Sequence, residues 1–328
     1  MNGKRFFMVG HGRISLAAVI CGIAFLLSGA IGEAGFIPKL DRVKFDDGEV
    51  YRQGCIVGDG QLRSRPCRFG YRNSKRRVVL FGDSHAAEWG PALLRLARAD
   101  HWQVIVLTRA SCPAALTNID RYCNTWRHNS LKRIRRLRPG LVVVASAANY
   151  HHYWTLRKRR GLDRQASERP LVHGMIRTLR YLKRWSRKVV LIRDHSAAPF
   201  SVTDCLRRNP TRPQRCDFRS TRRKAWSYEF KAAGRVDGVG VIDPQPMLCP
   251  GRRCYAVDGR HLVYRNYGHL AAAWVRTRNR WLGRNLNDPW NGRDVKPVLS
   301  NDSSDERSRP GYLVRSIPSP MNGQATSD

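Results

Sequence analysis

The sequence predicts a three-layer α/β/α sandwich built on a mostly parallel sheet, and three observations predict it. Short continuous apolar runs such as Val78-Val79-Leu80-Phe81 read as strands covered on both faces, since a half-exposed strand would alternate. Segments with apolar residues at helical spacing lie between these runs. The two kinds then alternate along the chain, the order in which parallel strands and crossover helices occur.

After the strand at 78–81, residues 86–99 read as a helix carrying Trp89, Leu93, Leu94 and Leu96. A strand follows at Val104–Thr108, then a helix at 125–138 with Leu131, Ile134 and Leu137 on one face, then a strand at Leu141–Ala145. Residues 171–186 read as helix, Val189–Arg193 as strand, 220–233 as helix and Val239–Ile242 as strand. A helix at 270–283 with Trp274 and Trp281 closes the domain, which is expected to span 50–283. Residues 32–75 show little periodicity. Residues 284–328, rich in Asn, Asp, Ser, Pro and Gly without an apolar face, read as a disordered tail.

The N-terminus carries the compartment. Residues 14–31, ISLAAVICGIAFLLSGAI, form an 18-residue apolar run without a charge, preceded by Lys4, Arg5 and Arg13. A basic flank of this kind stays in the cytoplasm, so 1–13 is expected there and 14–35 as a transmembrane anchor or signal helix. Ser28-Gly29-Ala30 offers a cleavage site if the segment is a signal. Either way, the domain is expected on the extracytoplasmic side, as a single-pass protein of the cell membrane if the anchor is kept.

Nine cysteines agree with export. Cys21 lies in the apolar run, and the other eight fall into close pairs: Cys55 and Cys67, Cys112 and Cys123, Cys205 and Cys216, Cys249 and Cys254. Local pairing outside the membrane reads as disulfides. No pair has CxxC spacing and the pairs are scattered, so no metal is expected.

The formal charge of +35 is extreme. From Arg284 to Asp328 six basic and six acidic residues cancel, so the whole excess belongs to residues 1–283. Export sets nucleic acid aside as partner and leaves an anionic glycan or membrane surface. The run Lys132-Arg133-Ile134-Arg135-Arg136 reads as a solvated helix face, with polyanion binding as the sharper alternative.

The chemistry concentrates in Gly82-Asp83-Ser84-His85, immediately after a buried strand and before a helix. In a parallel sheet that is the carboxyl edge, where active sites form. A serine there presents its hydroxyl at a helix N-terminus, and its backbone N–H can bind a developing oxyanion. The plainer reading makes Asp83 and Ser84 helix caps.

Residues 50–283 resemble the SGNH, or GDSL-like, hydrolases, and more closely the extracytoplasmic SGNH domain of membrane-bound type 3 (polysaccharide O-acyl) acyltransferases. The resemblance rests on Gly82-Asp83-Ser84-His85-Ala86-Ala87, Ser111-Cys112-Pro113 and Asp204-Cys205-Leu206. It rests further on Cys249-Pro250-Gly251-Arg252-Arg253-Cys254, Leu262-Val263-Tyr264-Arg265 and Gly268-His269-Leu270. The four cysteine pairs also fall where that family has them. The resemblance implies an SGNH (flavodoxin-like) fold, Ser84 as nucleophile and His269 as general base.

At the position of the aspartate that would orient the base stands Asn266, which accepts a hydrogen bond but brings no charge. Asp258-Gly259-Arg260-His261 has the literal D-x-x-H spacing and is the alternative base pair, Asp258 with His261. The oxyanion donors implied are the N–H of Ser84, the backbone of Ser111 and the side chain of Asn149.

The function expected is an exported serine acyl-transfer enzyme, an O-acetyltransferase or acetylesterase, acting on cell-surface glycan through a Ser84 acyl-enzyme without a cofactor. Its partners would be the glycan and, since only one apolar segment is present, a separate multi-pass membrane acyltransferase. The competing reading is a catalytically impaired SGNH domain that binds glycan or assists assembly.

Overall fold

The structure, a computed structural model, describes residues 35–150, 164–220, 227–286 and 290, with backbone alone at 164–167. The expected flank and nearly all of the anchor and tail lie outside these residues. Among the described residues no helix is long and apolar enough to cross a membrane.

A seven-stranded sheet forms the middle layer. Its members are β1 (Ile56–Val57), β2 (Arg68–Gly70), β3 (Arg77–Gly82), β4 (Gln103–Arg109), β5 (Leu141–Ala145) and β6 (Lys188–Ile192). After β7 (Phe218–Arg219), which pairs with Arg253–Cys254 in a separate ribbon, β8 (Val239–Ile242) completes it. The order is β1-β4-β3-β5-β6-β8, all parallel, while β2 runs antiparallel along β4.

Strand residues alternate between two cores. Val78, Leu80, Val104, Val106, Leu141 and Val143 enter one cluster, and Val79, Phe81, Ile105, Leu107, Val142 and Val144 enter the other. Both faces are therefore buried, which is why these strands read as continuous apolar runs. After α1 (Ser84–Ala87), the helix α2 (Gly90–Ala99) covers the first face. On the second lie α3 (Arg121–Leu137), α4 (Arg164–Trp185) and α5 (Tyr228–Ala233). The helices α6 (Ala272–Thr277) and α7 (Asn279–Leu286) return to the first.

Four differences from the expected elements have local causes or consequences. The helix expected over 86–99 restarts at Gly90, because Pro91 lacks an N–H and is tolerated only in a first turn. Of the helix expected over 220–233, residues 221–226 lie outside the described residues, and the described helix begins at Tyr228, where Ser227 Oγ accepts from the Phe230 N–H as a cap. The closing helix is divided at Arg278. The folded body also exceeds its expected bounds of 50 and 283. Phe36, Leu40 and Val43 are buried, α7 runs to Leu286, and Trp290 packs on Trp102.

All four cysteine pairs are bonded as disulfides. The Cys55–Cys67 bond closes the segment between β1 and β2, so the aperiodic lead-in is part of the sheet edge. The first described residues are tied to the far end of the chain. Ile37 N–H donates to the Arg260 carbonyl at 2.7 Å, and Leu262 N–H donates to the Ile37 carbonyl at 2.9 Å.

β3 is followed by crossings to opposite sides, to β4 and then to β5, so the crevice of the fold opens at the carboxyl ends of β3 and β5. Gly82 makes that edge possible. Its φ is +149°, and a Cβ there would stand 1.8 Å from the Ala145 carbonyl oxygen of β5. Gly82→Ala is expected to destabilise the fold by on the order of 3–5 kcal/mol, read as a lowered Tm. An unchanged Tm would mean that β3 and β5 part without cost at this point.

Candidate active site

The turn after β3 is fixed by Asp83, which is fully buried. One carboxylate oxygen accepts from the His85 N–H at 2.8 Å and so caps α1. The other accepts from the Ala147 N–H at 2.9 Å and the Tyr150 hydroxyl at 2.7 Å, in the loop after β5. Asp83 is thus a cap and also the bolt between two loops of the crevice. Burial raises its carboxyl to about 6, with the nearby His85 charge and these hydrogen bonds working against the rise.

Ser84 is half-buried at the N-terminus of α1. Among the described residues its hydroxyl has no hydrogen-bond partner. His85 is next in sequence, and its ring lies 4.8 Å, centroid to centroid, from that of His269. The structure therefore brings the C-terminal histidine to the Ser84 turn across nearly the whole length of the domain.

His269 sits on a short loop closed by an antiparallel bridge between Tyr264 and Leu270. Asn266 Oδ1 accepts from the Gly268 N–H at 3.1 Å and the His269 N–H at 2.9 Å, and lies 3.1 Å from His269 Nδ1. With Nδ1–H donated to the amide oxygen, Nε2 carries the lone pair, and Nε2 is buried without a hydrogen-bond partner. Burial pulls His269 down to about 4; Glu88 opposes this, while His85, Arg265 and His195 reinforce it. An NMR titration of the ring protons should therefore give a midpoint near 4, leaving the imidazole neutral at pH 7. A midpoint near 6.5 would mean that the ring is more open to water than the structure has it.

Beneath this pair lies a layer of charge that the sequence did not announce. His85 Nδ1 is 2.6 Å from Asp194 Oδ1, at the end of β6, and 3.8 Å from Glu88 Oε1. Burial alone would lower His85, but the carboxylates of Asp194 and Glu88 override it and raise the ring to about 10. Glu88 Oε1 also lies 3.0 Å from His195 Nε2, and Glu88 Oε2 accepts from the Leu270 N–H at 3.1 Å. Glu88 is held below the usual carboxylate range: burial pushes it up, and His195, His85 and His269 outweigh that push.

Donor atoms of His85, Glu88 and His195 fall within 4.8 Å of one another, a spacing a metal ion also uses. Asp194 already occupies His85 Nδ1, so the group as built is an ion-pair network centred on a protonated histidine.

The remaining candidates are placed as follows. Asn149 is exposed in the loop that Asp83 bolts down, and Ser111 is exposed at the end of β4 with φ +54°. Both stand at the carboxyl edge of strands flanking β3, and no hydrogen bond joins either to Ser84 among the described residues. The Ser111 loop is ordered by Cys112–Cys123 and by buried Arg127, which donates to the Pro113 and Thr117 carbonyls at 2.9 Å each. Asp258 accepts from Trp274 Nε1 and pairs with Arg278, both at 2.9 Å, and His261 faces it across a two-strand hairpin. One Asp258 oxygen is thus held by Trp274 and Arg278, and no hydrogen bond joins Asp258 to His261 among the described residues.

A serine at the carboxyl edge of a doubly covered parallel sheet, with a neutral histidine brought to the same turn against His85, defines the class: an α/β sandwich with its candidate site at the sheet's carboxyl edge. The chain belongs to the SGNH domain family, described as fused to AT3 domains, whose model matches residues 54–277. The periplasmic domain of the lipopolysaccharide acetyltransferase of Salmonella ser. Paratyphi A has a similar structure, with a TM-score of 0.51 and 15% identity. That match covers 84% of this chain and 98% of that one. A GDSL-like lipase of Bacteroides thetaiotaomicron aligns with a TM-score of 0.38 and 14% identity, covering 65% of this chain and 88% of that one. No curated protein matches the sequence.

Proposed function

We propose that this chain is an exported serine acyl-transfer enzyme of the cell surface, moving an acetyl or similar acyl group to or from a glycan hydroxyl. The observation that carries it is His269 beside the Ser84 turn with an unpartnered Nε2. Ser84 Oγ attacks the acyl carbonyl while His269 Nε2 takes its proton, and His269 returns that proton to the donor's oxygen as the acyl–oxygen bond breaks. A sugar hydroxyl or water then attacks the acyl-enzyme, giving its proton through His269 to the released Ser84 oxygen. Ser84 N–H, the Ser111 backbone and Asn149 would receive the oxyanion.

In this reading Asn266 positions His269 and Glu88 supplies the negative charge that Asn266 lacks. Glu88 is hydrogen-bonded to the Leu270 N–H, one residue beyond the base, and is ionised. Membership of a family fused to AT3 domains supports a separate membrane acyltransferase as partner, and the periplasmic setting of the acetyltransferase domain supports export.

The test is covalent. A fluorophosphonate probe added to the full chain in detergent should modify one peptide, at Ser84, and mild acid below pH 4 should suppress the labelling as His269 gains a proton. A chain that never labels Ser84 would sink the enzymatic reading. It would favour the impaired, glycan-binding one, for which Asn266 is the motivating residue.

A further inference from the structure

The basic run 132–136 is only partly a solvated face. Lys132, Arg133 and Arg136 line a cavity of about 340 Å³, closed on the other side by Arg63 and Ser64. Asn129 and Ser130 of α3 and Leu107 of β4 complete its lining. Four of these side chains are cationic and none is acidic. No ion pair of these four cations is found among the described residues: α3 contains no Asp or Glu, and Asp59 in the opposing loop is exposed beside Arg109.

The walls are prebuilt. Trp126 Nε1 donates to Ser64 Oγ at 2.8 Å, Asn129 Nδ2 to the Leu62 carbonyl at 2.9 Å, and Arg133 to the Arg65 carbonyl at 3.2 Å. Cys55–Cys67 closes the segment that carries this loop. Ser130, 2% exposed, has a hydroxyl without a hydrogen-bond partner among the described residues. Arg133 is held below the ordinary guanidinium range by burial and by the neighbouring charges of Arg68 and Arg136. Arg63, Lys132 and Arg136 are exposed and Arg133 is half-buried, and four like charges gathered around one cleft raise its affinity for a counter-charge.

We propose that this cavity binds one acidic sugar unit, a uronate or a sulfated residue, of a surface polysaccharide; the proposal rests on the glycan reading above. The volume suits a small ligand. Amide, hydroxyl and guanidinium groups match sugar hydroxyls and an anionic group, and guanidinium pairs with oxyanions bidentately. A lipid headgroup would bring acyl chains, and Leu107 is the one apolar residue of the lining.

Binding of tetragalacturonate to the full chain in detergent, followed by calorimetry, separates the possibilities. Arg63→Gln/Lys132→Gln/Arg136→Gln should weaken binding at least about tenfold. The charge-matched Arg95→Gln/Arg98→Gln/Arg284→Gln, on helices over the opposite sheet face, should change it less than about twofold. Neutral maltotetraose should not bind the wild type measurably. Equal losses in the two variants would reduce the effect to the general field and overturn the site. Sodium sulfate competing as strongly as the oligosaccharide would make the cavity a simple anion site and overturn the sugar. Ser84 labelling, unaffected in both variants, keeps this outcome separate from that of the enzymatic reading.

Discussion

Aryl-acetate turnover by the full chain falls by at least about 10³-fold in Ser84→Ala and by a similar factor in His269→Ala, and the double variant is no worse than either. Non-additivity is the sharper half of this expectation. In the proposed mechanism the hydroxyl and the imidazole act on one proton in one step, so removing either would leave the other without work. His261→Ala should remain within about twofold of wild type, because Asp258 is committed to Trp274 and Arg278. Loss on His261→Ala, with His269→Ala silent, would transfer the base to the Asp258–His261 hairpin.

Asn266→Asp is expected to raise turnover between about 10- and 10³-fold, within the roughly 10⁴ that an Asp-to-Asn exchange can cost a serine triad. The replacement is nearly isosteric, and all three contacts at Asn266 Oδ1 suit a carboxylate oxygen. A new negative charge beside Nδ1 favours the imidazolium, so the acid limb of kcat/KM moves up from about 4. Glu88→Gln works in the opposite sense. It removes a charge that raises the His269 pKa, so the limb moves lower and turnover falls about 10-fold or more. The two are coupled: in the Asn266→Asp background the loss from Glu88→Gln should shrink to about threefold or less. Equal losses in both backgrounds would mean that Glu88 only props the Leu270 backbone. A wild type without turnover that gains it on Asn266→Asp would make the natural chain an impaired SGNH domain.

The sandwich was legible because strands covered on both faces leave unbroken apolar runs, and those at 78–81, 104–108 and 141–145 stand where they were expected. Boundaries suffered where one residue overruled a pattern, as Pro91 does in the helix expected over 86–99. Trp290 looked like part of a polar tail, because its partner Trp102 is far away in sequence. Ser84, Asn266 and His269 were legible through motifs. Glu88 carried a usable signal, since it follows Ser84 by one helical turn. Asp194 and His195 stand at the end of a strand flanking the crevice, a position that marks a residue for scrutiny before any contact is known. What no local pattern conveys is that these three converge, for convergence is a property of the strand order β3-β5-β6.

The two hydrogen bonds that tie Ile37 to the Arg260–Leu262 hairpin set a tether length. Six residue steps lead from Ile31, the end of the apolar run, to Ile37. Fully extended they reach no more than about 21 Å. With the run in a bilayer, the hairpin that precedes the His269 loop is leashed to the membrane surface at that radius. On the proposed reading, the acceptor glycan then has to come to a domain that cannot leave the membrane surface.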